Sequence, residues 1–295
     1  MFRGAWTALV TPFEDRKPEK ISEVLLKGIV DFQIDRGKID GLVVCGTTGE
    51  APALSEEEHA HVAQKVIEFS GGRVPVVVGT GSNNVDRTIS ATRAAAEMKA
   101  DGALIVTPYY NRPGQEGLYR FYRRVADEVD IPIILYNVPS RTGVNLLPET
   151  VLRLARDVPS IKAIKEASGN LGQIEEILAG GFPVLSGDDA LTFPILSLGG
   201  SGVISVVSNV DPRGVVRMCK LYADGDRQAA LEIHRGLAPL VKVLFIETNP
   251  VPCKAVMALM GICTADVRLP LAPLSEESSK KVREYMDLHG GILKG

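Results

Sequence analysis

The sequence predicts an α/β chain folded as a (β/α)8 (TIM) barrel with a C-terminal helical extension. Short apolar runs alternate with amphipathic or alanine-rich segments, giving eight strand–helix units. The runs are continuously apolar rather than alternating in polarity, as expected of parallel strands covered by helices. At 295 residues, the chain is long enough for one large barrel plus added helices. The barrel is assigned to residues 1–226 and the extension, packed on it, to residues 227–295.

The first strand is read at Ala8-Leu9-Val10, ended by Thr11-Pro12. Leu25, Leu26, Ile29, Val30 and Phe32 then recur with helical spacing, with Gly37 as the stop. Leu42–Cys45 is the second strand, and Ser55 with Glu58 forms a capping box for a helix broken by Gly71-Gly72. Val76–Val78 is the third, followed by an alanine-rich helix to Met98; Ala103–Val106 is the fourth, followed by a helix from Gln115 to Glu128. Ile133–Leu135 is the fifth, with its helix opening at Pro148-Glu149. The sixth carries Lys165 and leads to a helix near Leu171–Leu178. Val184-Leu185 is the seventh, with a helix over Ala190–Leu198, and Val203–Val206 is the eighth, with a helix from Pro212 to Ala223. Two or three helices follow, the last starting near Ser275-Glu276-Glu277.

Hydrophobic residues make up 45% and charged residues 23%, with a net charge of −3, the balance of an ordinary soluble protein. Without a basic block, neither nucleic acid nor an anionic membrane is expected as partner. The start lacks the apolar segment of a signal peptide and no run is long enough to span a bilayer. Cys45, Cys219, Cys253 and Cys263 have no C-x-x-C spacing and read as reduced core residues of a cytoplasmic protein. His59 and His61 point to different helix faces, and no metal-ligand cluster is expected.

In such barrels chemistry sits at the C-terminal ends of the strands. Lys165 ends a short apolar run there, and burial favours the neutral amine that carbonyl attack requires. The same residues also describe a lysine leaving a strand into solvent. Gly46-Thr47-Thr48-Gly49-Glu50 offers N–H groups and hydroxyls to a carboxylate, or simply makes a glycine turn. Tyr109 and Tyr110 fit packing or an interface as well as catalysis. Tyr136 can relay protons or fill the core, and Arg141 can clamp a carboxylate or face solvent. Ser186-Gly187-Asp188-Asp189, like Ser205 and Asn209, can equally cap a helix. Gly79-Thr80-Gly81 lacks the third glycine of a dinucleotide fingerprint.

Taken together, Gly46–Glu50, Pro108-Tyr109-Tyr110-Asn111-Arg112-Pro113, Tyr136–Gly143, Ile164-Lys165-Glu166-Ala167, Ser186–Asp189 and Gly202–Ser205 resemble the dihydrodipicolinate synthase family of the class I pyruvate aldolase/lyase superfamily, essentially end to end. The resemblance implies a cytoplasmic enzyme, usually a homotetramer, that condenses pyruvate with L-aspartate 4-semialdehyde in diaminopimelate and lysine biosynthesis. It implies that Lys165 forms a Schiff base with pyruvate and that Tyr136 gives and takes protons. Thr47 would link Tyr136 to Tyr110, donated from a neighbouring subunit. Thr48 would hold the pyruvate carboxylate, Ile204 would line the pyruvate pocket, Arg141 would receive the semialdehyde carboxylate, and Gly187 would belong to a substrate loop. No metal or organic cofactor is implied, since the lysine supplies the electron sink.

Two other functions compete. N-acetylneuraminate lyase and keto-deoxy-sugar-acid aldolases share the lysine and tyrosine, but commonly differ where Thr47-Thr48 and Arg141 stand. A barrel that binds a keto acid without turnover would need neither Lys165 nor Tyr136. The resemblance further implies an interface site for L-lysine, to which His59, Asn83 and Tyr109 correspond. Glu56 and Arg87 depart from the lysine-sensitive pattern, Arg87 replacing a common glutamate, so weak or absent lysine inhibition is expected.

Overall fold

The computed structural model describes residues 2–294, and in it the apolar runs are parallel strands. β1 (Gly4–Ala8) is followed by a hairpin of β2 (Phe13–Glu14) and β3 (Lys17–Ile21). Then come β4 (Gly41–Val44), β5 (Val76–Gly79), β6 (Gly102–Val106), β7 (Ile133–Asn137), β8 (Ile161–Glu166), β9 (Val184–Ser186) and β10 (Gly202–Ser205). Eight of them close into a parallel barrel in the order β1-β10-β9-β8-β7-β6-β5-β4. The helices are α1 (Glu23–Asp31), α2 (Glu56–Ser70), α3 (Val85–Glu97), α4 (Gln115–Glu128), α5 (Pro139–Thr142) and α6 (Pro148–Asp157). They continue with α7 (Leu171–Ala179), α8 (Thr192–Ser197), α9 (Pro212–Ala223) and the C-terminal α10 (Arg227–Leu244), α11 (Val251–Leu259) and α12 (Glu276–Lys294). Among the described residues no helix is long and apolar enough to cross a membrane.

Several elements differ from the sequence expectation. The first strand is Gly4–Ala8, not Ala8–Val10. Its register with β4 sets Trp6 opposite Gly41, where any Cβ would collide with the indole ring. Leu9 and Val10 are buried as deeply as the strand itself, so apolarity alone did not mark its end. The hairpin has no apolar pattern to mark it in the sequence, because Lys17-Pro18-Glu19-Lys20 is polar and mostly exposed. After α1 the chain widens into a π-helical turn, Phe32–Gly37, and the left-handed cap is Lys38 at φ 56° rather than Gly37. Gly37 serves close packing instead: a Cβ there would lie 2.6 Å from Pro212 Cβ. The capping box of α2 is present, with Glu58 N–H donating to Ser55 Oγ and Ser55 N–H to Glu58 Oε2. The helix expected over Ala190–Leu198 is a 3-10 turn, Asp189–Leu191, followed by α8.

The chain forms two compact units, Met1–Gly4 with Pro75–Ile204 and Ala5–Val74 with Ser205–Gly295. In the first unit β6, β7 and β8 pair in parallel, with Val106 opposite Tyr136 and Tyr136 opposite Lys165. Ile105, Ile133, Ile134, Ile164 and Leu118 are fully buried around them. Tyr122 joins this core by donating its hydroxyl to the Ile105 carbonyl at 3.1 Å, and burial pushes its phenol pKa up.

The second unit stitches the two ends of the chain together. Asn209 Nδ2 donates to the Ala8 carbonyl at 2.8 Å, and Val10 N–H donates to Asn209 Oδ1 at 3.3 Å. Asn209 therefore fixes the end of β1 rather than capping a helix, and Asp211 caps α9 by accepting from Gly214 N–H. Ser205 Oγ accepts from Ser208 N–H at the 3-10 turn between β10 and α9. The four cysteines are buried and form no disulfide; burial raises the Cys45 thiol pKa and pushes that of Cys263 up to about 11, so neither is a ready nucleophile.

A buried ion pair anchors this unit. Lys254, fully buried on α11, donates from Nζ to Glu50 Oε1 at 2.8 Å and to the Thr11 carbonyl at 2.9 Å. Arg268 N–H donates to the other oxygen, Glu50 Oε2, at 2.9 Å. Burial depresses the Lys254 pKa and the Glu50 charge opposes that shift. Arg268 also forms a two-point pair with Glu58, 2.6 and 2.7 Å, which holds the Glu58 carboxyl below its ordinary pKa. Removing one member of a buried pair strands the other charge. Lys254→Met should therefore cost about 3–5 kcal/mol in urea unfolding, with a large part recovered in the Glu50→Gln/Lys254→Met double variant. Equal losses in the two variants would instead assign the effect to the contact of the Lys254 ammonium with the Phe13 ring, whose centroid lies 4.1 Å away.

Candidate active site

Strand alternation turns Lys165 and Glu166 to opposite sides of β8. The register with β7 sets Tyr136 opposite Lys165, and the lysine Nζ lies 4.4 Å from the tyrosine ring centroid. Both residues are nearly buried, at 6% and 7% exposure. An amine and a phenol are thus neighbours where little water reaches them, whereas Lys162, near the start of the strand, is exposed. Gly187, just past β9, closes on the lysine stem: a Cβ there would lie 3.0 Å from Lys165 Cε and 2.8 Å from Ala167 Cβ. This glycine makes room for a side chain. Its neighbours Ser186 and Asp188 brace the turn, with Ser186 Oγ donating to the Asp188 carbonyl at 2.7 Å and Asp188 Oδ1 accepting from Ala190 N–H at 2.9 Å.

Glu166 anchors the ends of β7 and β8 from the other side. Its buried carboxylate accepts from Ser168 N–H at 2.8 Å, from Asn137 Nδ2 at 3.1 and 3.2 Å, and from Gln173 Nε2 at 3.1 Å. Asn137 and Gln173 are joined through Asn145: Asn137 Nδ2 donates to Asn145 Oδ1 and Asn145 Nδ2 to Gln173 Oε1, both at 2.8 Å. Burial raises the Glu166 pKa, and the bonds from Ser168, Asn137 and Gln173 act against it. Glu166, Asn145 and Gln173 carry no site signal in the sequence that singles them out. The nearest to one is a carboxylate ending an apolar strand, which must find donors if it is buried.

The loop after β6 and the turn α5 support each other. Thr107 Oγ1 donates to Thr142 Oγ1 at 3.3 Å, Tyr110 N–H to the Thr142 carbonyl at 3.4 Å, and Arg112 Nε to the Gly143 carbonyl at 3.0 Å. Pro139 opens α5, a single helical turn that carries Arg141 on its exposed side. Tyr110 is 90% exposed and sits at φ 71°, a conformation uncommon for an aromatic residue. Tyr109 is half-buried, and Asn111 Nδ2 donates to the Asn83 carbonyl at 3.0 Å. Arg87 lies in the first turn of α3, exposed, with its N–H bonded to the cap Asn84. Ile204, at the end of β10, is 1% exposed.

The second unit holds the Gly46–Glu50 loop. Gly49 N–H and Ala51 N–H both donate to the Gly46 carbonyl, and Glu50 N–H donates to the Thr47 carbonyl at 3.1 Å. Thr11 Oγ1 donates to the Gly49 carbonyl at 2.7 Å, and a Cβ at Gly49 would come within 3.1 Å of the Leu9 carbonyl. Thr48 is buried and its Oγ1 accepts from Asn249 Nδ2 at 3.0 Å; Thr47 is half-buried. Asn249, on the connection between α10 and α11, was another residue the sequence did not single out. Glu56 and His59 stand in the first turn of α2, Glu56 exposed and His59 half-buried. No group of three or more His, Cys, Asp or Glu side chains able to hold a metal occurs among the described residues.

Comparison with known proteins covers nearly the whole chain. Residues 1–288 match the Dihydrodipicolinate synthetase family. A 4-hydroxy-tetrahydrodipicolinate synthase from Pelobacter propionicus is 50% identical over 99% of this chain and 100% of its own length. The crystal structure of a dihydrodipicolinate synthase from Aquifex aeolicus superposes with a TM-score of 0.96 at 44% identity, covering 100% of both chains. That of a chloride-inhibited dihydrodipicolinate synthase from Acinetobacter baumannii, complexed with pyruvate, has a TM-score of 0.94 at 38% identity over 98% of this chain and 99% of that one. The chain belongs to the dihydrodipicolinate synthetase family.

Proposed function

We propose that this chain condenses pyruvate with L-aspartate 4-semialdehyde to give 4-hydroxy-tetrahydrodipicolinate, in the cytoplasm and on the route to diaminopimelate and lysine. The observation that carries the reading is the buried Lys165 amine beside the Tyr136 ring, with Gly187 closed against the lysine stem. The Lys165 amine adds to the ketone carbon of pyruvate, and the carbinolamine loses water to form an imine. The imine nitrogen draws electrons from the adjacent carbon, so a methyl proton leaves and an enamine forms. The enamine carbon attacks the aldehyde, making the new C–C bond while the aldehyde oxygen takes a proton. The semialdehyde's own amino group then displaces lysine from the imine carbon, closing the ring and restoring the free amine.

Tyr136 is the proton carrier in this scheme, with Thr47 and Tyr110 continuing its relay. Thr48 holds the pyruvate carboxylate, Ile204 lines the pyruvate pocket, and Arg141 takes the semialdehyde carboxylate with paired donors. The exposure of Tyr110 supports its donation to a neighbouring subunit of a homotetramer. Comparing turnover of pyruvate with the semialdehyde against pyruvate with N-acetylmannosamine tests the overall assignment; preference for the sugar would move the chain to the sugar-acid aldolases.

Mass spectrometry after borohydride reduction with pyruvate should find the adduct on Lys165. Lys165→Ala should abolish trapping and Lys162→Ala should leave it intact; label on Lys162 contradicts the scheme. Arg141→Ala should lower kcat/KM for the semialdehyde by about tenfold or more while pyruvate trapping stays near wild type, because a charge-assisted pair is worth about 1.5–3 kcal/mol. Equal loss in both steps would give Arg141 a structural role. Glu56, His59, Asn83, Arg87 and Tyr109 correspond to the effector site that the resemblance implies, where a guanidinium at position 87 would repel the amino groups of L-lysine. Initial rates at subsaturating pyruvate should therefore hold as lysine rises into the millimolar range, and half-inhibition well below a millimolar would show a working site.

A further inference from the structure

We infer that Asn249, in the C-terminal extension, is a positioning residue that aims the Thr48 hydroxyl at the substrate carboxylate. The inference rests on the assignment of Thr48 to that carboxylate in the reading above. Asn249 Nδ2 donates to Thr48 Oγ1 at 3.0 Å, across 201 residues of sequence, and both residues are buried, at 6% and 3% exposure. A threonine hydroxyl has one proton to give and two lone pairs to accept with. Once the amide N–H occupies a lone pair, the hydroxyl proton is left to point elsewhere. A carboxylate, which only accepts, is the partner that such a proton suits. With the opposite polarity, an acceptor at residue 249 would consume the proton and leave Thr48 nothing to donate.

The surrounding contacts keep the loop from adjusting to a lost bond. On the far side of Gly49, the Glu50 carboxylate is held by Lys254 Nζ at 2.8 Å and by Arg268 N–H at 2.9 Å. The Gly49 carbonyl is held by Thr11 Oγ1 at 2.7 Å. Three residues of the C-terminal region, Asn249, Lys254 and Arg268, thus bond to two residues of this loop, Thr48 and Glu50, and only Asn249 acts on a group with a place in the chemistry. The extension is on this account part of the substrate-binding apparatus and not only a cover for the barrel.

Pyruvate KM should be measured for wild type, Asn249→Ala, Thr48→Val and the double variant, with borohydride trapping of Lys165 by acetone as the comparison. Acetone forms the same kind of imine but has no carboxylate. Each single variant should raise the pyruvate KM about tenfold, the scale of one hydrogen bond to a charged group, with kcat and the acetone trapping rate little changed. The double variant should be no worse than Thr48→Val alone, because both changes remove one interaction. The inference is overturned if Thr48→Val raises KM and Asn249→Ala does not, if the two effects multiply to about a hundredfold, or if Asn249→Ala slows acetone trapping as much as pyruvate trapping. Should Asn249→Ala not fold, Asn249→Ser is judged by the same criteria. If Thr48→Val leaves the pyruvate KM unchanged, the carboxylate assignment of Thr48 fails instead, while pyruvate trapping on Lys165 separately reports whether the imine chemistry stands.

Discussion

The register that sets Lys165 of β8 opposite Tyr136 of β7 is the constraint on which the rest of this site depends. One residue of slip would turn the amine to the other side of the strand. On the lysine's side of β8, the missing side chain of Gly187 lets the turn after β9 approach the lysine stem, where a Cβ would lie 3.0 Å from Lys165 Cε. On the opposite face, Glu166 ties the strand ends together through Asn137, Gln173 and Ser168. Leaving the buried carboxylate without those donors would cost more than the bonds contribute in water, so the network specifies one arrangement more than it adds stability.

A second buried network does comparable work for the Gly46–Glu50 loop. Lys254 and Glu50 face a large desolvation cost, which their mutual attraction offsets only because Thr11 and Arg268 complete the hydrogen bonding. A hydrophobic pair of similar volume would fill the same space without tying down the Glu50 backbone. Both cases place costly polar groups beside a short loop or strand end, where conformational precision matters to the proposed chemistry.

Legibility in the sequence followed the range of the interactions involved. The strand–helix alternation was readable because each unit carries its own apolar run, its own caps and its own breakers, as at Ser55, Glu58 and Gly71. The hairpin Phe13–Ile21 was not, since Lys17–Ile21 has no periodicity and pairs through its backbone. Lys165 and Tyr136 stood out as polar residues ending apolar runs. Asn145, Gln173 and Asn249 did not, because an amide in a loop or helix looks the same whether it faces water or a buried partner. Their roles depend on contacts 28 and 201 residues away. Gly187 was named for its loop, yet the reason for a glycine there is the Lys165 side chain 22 positions earlier.

The central claim is that the ketone of pyruvate becomes covalently attached to the amine on β8. Incubating the wild-type protein in heavy water with pyruvate labelled by oxygen-18 at the ketone, without a second substrate, tests it most directly. An imine requires the ketone oxygen to leave as water, and the enamine requires methyl protons to exchange. Both losses should proceed faster than in buffer alone, the oxygen no slower than the methyl hydrogens. Methyl exchange with the ketone oxygen retained beyond its spontaneous loss would mean an enolate formed without a covalent bond, and would contradict the account.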